Sequence, residues 1–132
     1  MTITLPIALA TTGAAAIINL WLAIRISQMR SAHKTWVGDG GHPRLVARMR
    51  AHSNFIEYTP IVLILIALVE LAKGTQLWLW GVAVAFLLGR VLHGFGMDGW
   101  KIGRMLGTWI TLLVMVGLGI YGATLPWLGQ LG

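Results

Sequence analysis

Polar side chains that can bind charged groups recur on one helical face just before a long apolar run. In the stretch "RMRAHSNFIEYTP", Arg50, Asn54 and Glu57 stand at positions i, i+4 and i+7. Tyr58 follows directly. An arginine binds a carboxylate through two parallel hydrogen bonds, and a glutamate accepts from an ammonium group. The stripe therefore suits a small ligand that carries carboxylates and an amine.

A second polar set lies at the end of another apolar run. Arg90 and His93 are about one helical turn apart. If the helix continues, the same face also holds Met97, Lys101 and Arg104. An arginine beside a bound thiol would favour the thiolate, which is the reactive form. The two sets can act together only if the elements that carry them bring them to one place.

Those elements are four apolar segments, each long enough to cross a bilayer as a helix, which takes about 20 residues. They cover approximately residues 5–24, 55–72, 77–95 and 106–128. Hydrophobic residues make up 57% of the chain and charged residues 11%, against about 25% charged in soluble domains. The 132 residues therefore predict one domain, residues 1–132, that is all-α: an integral membrane four-helix up-down bundle.

The charges between the apolar segments predict the orientation in the membrane. Lys and Arg are concentrated before the second segment and between the third and fourth, whereas the link between the second and third holds only Lys73. Positively charged connections stay in the cytoplasm. We therefore expect both termini outside and both basic connections inside. Arg30, at the end of the first segment, then joins the two polar sets at the cytoplasmic surface.

Several classes of function are disfavoured by composition. The net charge of +6 is confined to short segments between apolar runs, so no wettable basic face for nucleic acid is expected. The chain has no Cys, which excludes disulfides and thiolate metal sites. Its four His show no metal-ligand spacing, so we predict no metal site.

The same types of residue can also have purely structural roles. Arg25, Arg44 and Lys101 at the ends of spans suit lipid headgroups or topology. Asn54 and Glu57 could neutralise an arginine in a structural ion network. Small residues at a spacing of four let helices approach closely. The sequence does not say whether such glycines serve packing within the bundle or between subunits: Gly99, Gly103 and Gly107.

Two motifs resemble signatures of a known family. "RAHSNFIEYTP" is similar to the second-helix signature, and "GRVLHGFGMDG" to the third-helix signature, of the MAPEG proteins, the membrane-associated proteins in eicosanoid and glutathione metabolism. "QMR", residues 28–30, resembles the end of their first helix. The resemblance implies a homotrimer in a bacterial inner membrane, in contact with membrane lipids. It also implies glutathione bound as co-substrate at each subunit interface, near the cytoplasmic side.

Carried over by position, the resemblance assigns individual residues. Arg104 would activate the thiol. The residues that would bind glutathione are Arg30, Arg50, Asn54, Glu57, Tyr58, Arg90 and His93. The expected function is a membrane-bound glutathione-dependent transferase or peroxidase acting on a lipophilic electrophile that arrives from the lipid. The alternative is a non-catalytic membrane binding protein or scaffold for a lipid or an anionic metabolite. Met97 favours this alternative slightly, because several enzymes of the family carry a tyrosine there.

Overall fold

The computed structural model describes residues 1–130, which form four α-helices and contain no strand. The helices are α1 (Pro6–His33), α2 (Pro43–Lys73), α3 (Leu77–Gly96) and α4 (Lys101–Gln130). Each contains a stretch that is long and apolar enough to cross a membrane. The predicted all-α, four-helix membrane architecture is confirmed.

The helices extend beyond the apolar segments that predict them. α1 has 28 residues and α2 has 31. At 1.5 Å per residue such helices exceed 40 Å, roughly, whereas the hydrocarbon layer is about 30 Å thick. The apolar segments therefore predict only the part of each helix that is long and apolar enough to lie in lipid. The helices themselves extend further, through polar turns. One consequence is that Arg50 lies inside α2, on the same helix as Glu57.

The helices run antiparallel, so the two basic connections lie at the same end of the bundle. Arg48 of α2 donates to the carbonyl oxygen of Arg25 in α1 at 3.0 Å. Arg25 in turn donates to the carbonyl oxygen of Gly94, near the end of α3, at 3.0 Å. We call this the basic end. It contains the last turns of α1 and α3 and the first turns of α2 and α4.

Apolar side chains fill the interior of the bundle and also cover its outside. Val62, Ile66 and Phe86 are completely buried between helices. Ile17 of α1 and Leu113 of α4 are 70% and 65% exposed on the outer surface. In water such a surface would be a large apolar patch, whereas in a bilayer it faces lipid.

Glycines allow α3 and α4 to pack with their backbones close together. A Cβ atom added at Gly107 of α4 would lie 2.7 Å from both the Cβ and the backbone nitrogen of His93. A Cβ atom added at Gly89 of α3 would lie 2.9 Å from the side chain of Ile110. Gly107 therefore serves packing within the bundle. Gly99 has another role: its φ of +119° lets the chain turn between α3 and α4.

A buried carboxylate holds the opposite end of the bundle together. Glu70, near the end of α2, is 1% exposed and accepts from the backbone nitrogens of Ile7 at 3.0 Å and Ala8 at 2.8 Å. Thr75 donates to it as well, at 2.9 Å. The first amides of a helix have no acceptor within the helix, and negative charge is favoured there. Glu70 therefore caps α1 from a different helix.

Glu70→Gln is expected to lower the free energy of unfolding by about 2–3 kcal/mol, because its amide group places a donor where backbone donors need an acceptor. Thermal unfolding of the purified protein in detergent measures this. Glu57→Gln is the matched control: it is the same change on the same helix at an exposed position. Equal unfolding temperatures for the two variants would show that the cap contributes nothing.

Candidate functional site

Five of the polar residues predicted from the sequence line one cavity at the basic end: Arg50, Asn54, Glu57, His93 and Arg104. It has a volume of about 550 Å³ and lies between α2, α3 and α4. This is within the usual range for ligand pockets, about 300–1,000 Å³. We call it the charged pocket. Its lining residues are Arg50, Ser53, Asn54, Glu57, His93, Met97, Arg104, Met105, Thr108 and Trp109.

The stripe on α2 forms one wall, as its spacing predicts. Arg50, Asn54 and Glu57 all lie within α2 and all line the pocket. α2 begins at Pro43, well before the stripe, because proline is well suited to the first turn of a helix. The single helical face predicted from the sequence is therefore present.

The second polar set reaches the pocket by a different route from the one expected. α3 ends at Gly96 and α4 starts at Lys101, so one continuous helical face from Arg90 to Arg104 does not exist. Lys101 is exposed and does not line the cavity. Arg104 returns to the cavity because the chain reverses and α4 packs closely on α3.

Arg90 lies behind the pocket and orients one of its walls. It is 1% exposed, and its Nη2 donates to Oδ1 of Asn54 at 2.5 Å. Its Nη1 donates to Oγ1 of Thr111 on α4 at 3.0 Å. With its carbonyl oxygen bound to Arg90, Asn54 keeps its NH₂ group available to donate to a ligand. Arg90 thus connects α2, α3 and α4 behind the site.

His93 is held by the same arginine. Nη2 of Arg90 lies 3.4 Å from Nδ1 of His93. A guanidinium can only donate, so Nδ1 accepts and, in the neutral ring, the proton is on Nε2. His93 therefore has an N–H group left to donate.

The positive charges of the site have little compensation within the described chain. Among residues 1–130 the ion pairs are those of Asp98 with Arg25 and Arg48. The pocket region holds three guanidinium groups, those of Arg50, Arg90 and Arg104, and one carboxylate, that of Glu57. This leaves an excess of two positive charges. Of the alternative structural network, the hydrogen bond between Arg90 and Asn54 is present, but within this range Glu57 forms no ion pair.

Two predicted site residues lie elsewhere in a single chain. Arg30 turns towards the α1–α2 connection, where its Nη1 donates to the carbonyl oxygens of Thr35 at 3.1 Å and Gly38 at 2.6 Å. Tyr58 is half-buried and is not part of the pocket lining. Arg30 therefore stabilises the α1–α2 connection, because it donates to loop carbonyl groups that follow the end of its own helix.

Sequence reasoning missed four residues of the lining: Ser53, Met105, Thr108 and Trp109. The helical spacing of two of them could have predicted their place in the lining. Ser53 precedes Glu57 by four residues, and Thr108 follows Arg104 by four, so each lies on a helical face that the motifs already define. Met105 and Trp109 supply an apolar side that charge patterns could not indicate.

The fold and the site together define a polytopic α-helical membrane protein with a positively charged pocket at one end of its bundle. The model of the MAPEG family matches residues 8–124, and the chain belongs to this family. The chain is 28% identical over 117 residues to the inner membrane protein YecN of Escherichia coli K12, covering 85% of this chain and 87% of the relative. YecN of Escherichia coli O6:H1, strain CFT073, matches to the same extent.

The predicted family and location are thereby confirmed. Four apolar helices, membership of the MAPEG family and similarity to an inner membrane protein make the chain an integral inner-membrane protein.

Proposed function

We propose that the protein binds glutathione in the charged pocket and joins the whole molecule, through its sulfur, to a lipophilic electrophile. The excess of positive charge in the pocket is the observation that carries this proposal. An ionised side chain at membrane depth costs about 3 kcal/mol or more unless it is paired or hydrated. Glutathione with an ionised thiol has two carboxylates, one thiolate and one ammonium group, which together balance two positive charges.

Each part of the pocket has a role in this proposal. Arg50 binds a carboxylate, Glu57 accepts from the ammonium group, and Asn54, oriented by Arg90, donates to a peptide carbonyl. Arg104, on α4, stabilises the thiolate. Charged hydrogen bonds in a water-poor site are stronger than in water, provided that every charge has a partner.

The reaction follows from the thiolate. Its sulfur forms a bond to the electrophilic carbon, and the leaving group departs with the bonding electron pair. With a hydroperoxide, the sulfur takes the terminal oxygen and releases an alkoxide, and a second glutathione then reduces the sulfenic acid to give the disulfide and water. Both reactions begin with a bound thiolate that the co-substrate reaches from the lipid, and the peroxidase reaction also consumes the second glutathione.

The apolar side of the pocket supports a lipophilic co-substrate. Trp109 and Met105 on α4 line the cavity and are 60% and 46% exposed on the outer surface. Met97 adds a third apolar side chain. An electrophile dissolved in the bilayer can reach the sulfur along this side without crossing water.

A homotrimer forms part of the same proposal. Arg50, Ser53 and Glu57 line the pocket yet are exposed in a single chain. Polar side chains exposed near the membrane interior are usually covered by protein or water. Copies of the chain packed around α2 would enclose these groups, so that each pocket lies at an interface between subunits.

The proposed role of Arg104 is tested by Arg104→Ala. We expect glutathione to remain bound while conjugation to 1-chloro-2,4-dinitrobenzene falls by about 100-fold or more, as when one electrostatic donor is removed from an active site. Thiolate absorbance on adding glutathione is expected in the unmodified protein and absent in the variant. Arg44→Ala, at an exposed arginine near the start of α2, is the control and should retain both signals.

The same assay decides between the two candidate functions. If the unmodified protein binds glutathione but shows neither conjugate nor thiolate, a non-catalytic binding protein for an anionic ligand is the correct assignment. The side chain of Met97 in the pocket lining favours that second candidate, because it supplies a thioether at the position where the resemblance places a tyrosine in several enzymes of the family. Full activity in Arg104→Ala would show that Arg104 is the wrong residue.

A further inference from the structure

A cluster of charged residues lies beside the charged pocket but outside it. Arg25 of α1, for which the sequence suggested a role with lipid headgroups or in topology, is 7% exposed and pairs with Asp98. Arg48 of α2 donates from Nε to the other oxygen of Asp98 at 3.4 Å. Two arginines from two helices thus share one carboxylate in the short α3–α4 turn.

Further hydrogen bonds connect this cluster to the backbones of α1 and α3. Arg48 also binds the backbone carbonyl of Arg25, and Arg25 binds that of Gly94. The guanidinium carbon of Arg25 lies 4.8 Å from the ring centre of Trp21. The α3–α4 turn is therefore tied to α1 and α2 as well as to the helices that it joins.

The last turn of α3 and the α3–α4 turn together present two different faces to their surroundings. His93 and Met97 line the charged pocket, whereas Gly94 and Asp98, each one residue further along, bind the arginine cluster. The arginine cluster therefore determines where the pocket side of the turn lies.

The start of α4 depends on the same turn. A Cβ atom added at Gly96 would lie 2.7 Å from the backbone carbonyl carbon of Gly103 and would overlap the backbone of Arg104. The end of α3 and the first turns of α4 are thus in direct backbone contact. A shift of the turn would move Arg104 relative to Asn54 and Glu57 across the pocket.

We propose that Asp98 is a positioning residue for the charged pocket: by binding Arg25 and Arg48 it holds the α3–α4 turn so that Arg104 faces the ligand. This rests on the proposed function, since it assigns Asp98 an effect on the thiolate that Arg104 stabilises. Asp98 itself is not part of the pocket lining. It acts through the turn, and no contact with the ligand is required of it.

The direction of the effect separates positioning from simple electrostatics. Removing a carboxylate near a positively charged site makes the local potential more positive, which alone would favour a bound thiolate. Displacing Arg104 has the opposite effect. We therefore expect Asp98→Asn, at saturating glutathione, to show about tenfold less thiolate absorbance than the unmodified protein, whereas the electrostatic effect alone predicts an increase.

Two control variants separate the loss of a negative charge from the loss of the contacts of Asp98. Asp39→Asn removes a carboxylate from the α1–α2 connection, where it accepts from the nearby backbone nitrogen of Gly41, and is expected to leave the thiolate signal unchanged. Asp98→Glu keeps the charge and should restore the signal to within about twofold. A role of Asp98 in stability alone would lower the unfolding temperature but leave the thiolate signal of the saturated protein unchanged, and this result would overturn the proposal.

A second measurement does not depend on glutathione. The chain has no native Cys, so Ser53→Cys places a single thiol in the pocket lining. Its rates of reaction with an anionic and a cationic methanethiosulfonate reagent report the local potential. In this background Asp98→Asn should lower the anionic-to-cationic rate ratio by about threefold, whereas loss of charge alone would raise it.

The outcomes separate failure of the positioning role from failure of the proposed function. If the unmodified protein shows no thiolate with glutathione, the proposed function is wrong, and the rate ratio alone decides the role of Asp98. An unchanged or higher ratio in Asp98→Asn overturns the proposal. If that variant does not fold, Arg48→Lys is used, because it keeps the charge while removing the Nε bond to Asp98, and it should change the ratio in the same direction.

Discussion

Replacing Gly107 with alanine is expected to destabilise the protein by about 3 kcal/mol, which lowers its unfolding temperature by about 10 °C. The added methyl group would lie 2.7 Å from the backbone nitrogen and Cβ of His93, and close to the carbonyl oxygen of Gly89. Backbone atoms of a helix cannot move away individually, so α4 must separate from α3. Thermal unfolding in detergent measures the loss.

The same substitution also tests the site. α3 carries His93 and α4 carries Arg104, so a wider gap between these helices enlarges the charged pocket and weakens glutathione binding. Gly117→Ala is the matched control, since it lies on α4 with no other atom within 4 Å of the added Cβ. Alanine in a helix is favoured over glycine by about 0.5–1 kcal/mol, so this control should be as stable as the original protein or more so. Equal behaviour of the two variants would refute close packing at Gly107.

The second large effect is expected from Arg90→Lys. Lysine keeps the positive charge but cannot reach Asn54 and Thr111 at once, because it lacks the planar fork of the guanidinium group. A hydrogen bond to a charged group contributes about 1.5–3 kcal/mol, so we expect the dissociation constant for glutathione to rise about 10- to 100-fold. Calorimetric titration of the purified protein in detergent measures it.

The reason for this loss is the orientation of Asn54. Without Arg90 its amide can rotate, and the NH₂ group no longer faces the ligand. Arg44→Lys makes the same substitution at an exposed position at the start of α2 and should bind glutathione normally. An unchanged affinity in Arg90→Lys would mean that charge alone is needed at this position and that Asn54 does not depend on it.

The architecture was predictable from the sequence because it depends on composition and local periodicity. Four continuous apolar runs of sufficient length indicate membrane helices, since a helix satisfies its backbone polar groups within its own segment and the strands of a barrel would alternate polar and apolar residues. The spacing of Arg50, Asn54 and Glu57 placed them on one face, because every residue of a regular helix turns by the same angle. The helix ends were less certain, because the polar turns of α1 and α2 outside the bilayer carry no hydropathy signal.

The meeting of α2, α3 and α4 at one pocket was predictable only in outline. Antiparallel topology places the start of α2 and the end of α3 at one end of the bundle, but it does not give the rotation of any helix. The sequence suggested one helical face running from Arg90 to Arg104. In the structure the chain turns at Gly99, and Arg104 returns through the close packing of α4 on α3.

Residue types and spacing alone determined that this chain is a membrane bundle with a stripe of polar side chains on α2, since both properties are local to each helix. Only the tertiary structure decided which charges are paired. Arg25 binds Asp98, Arg30 binds loop carbonyls of its own chain, and Glu70 caps a helix some sixty positions away. Such pairings depend on the rotation and depth of packed helices, which sequence spacing does not specify.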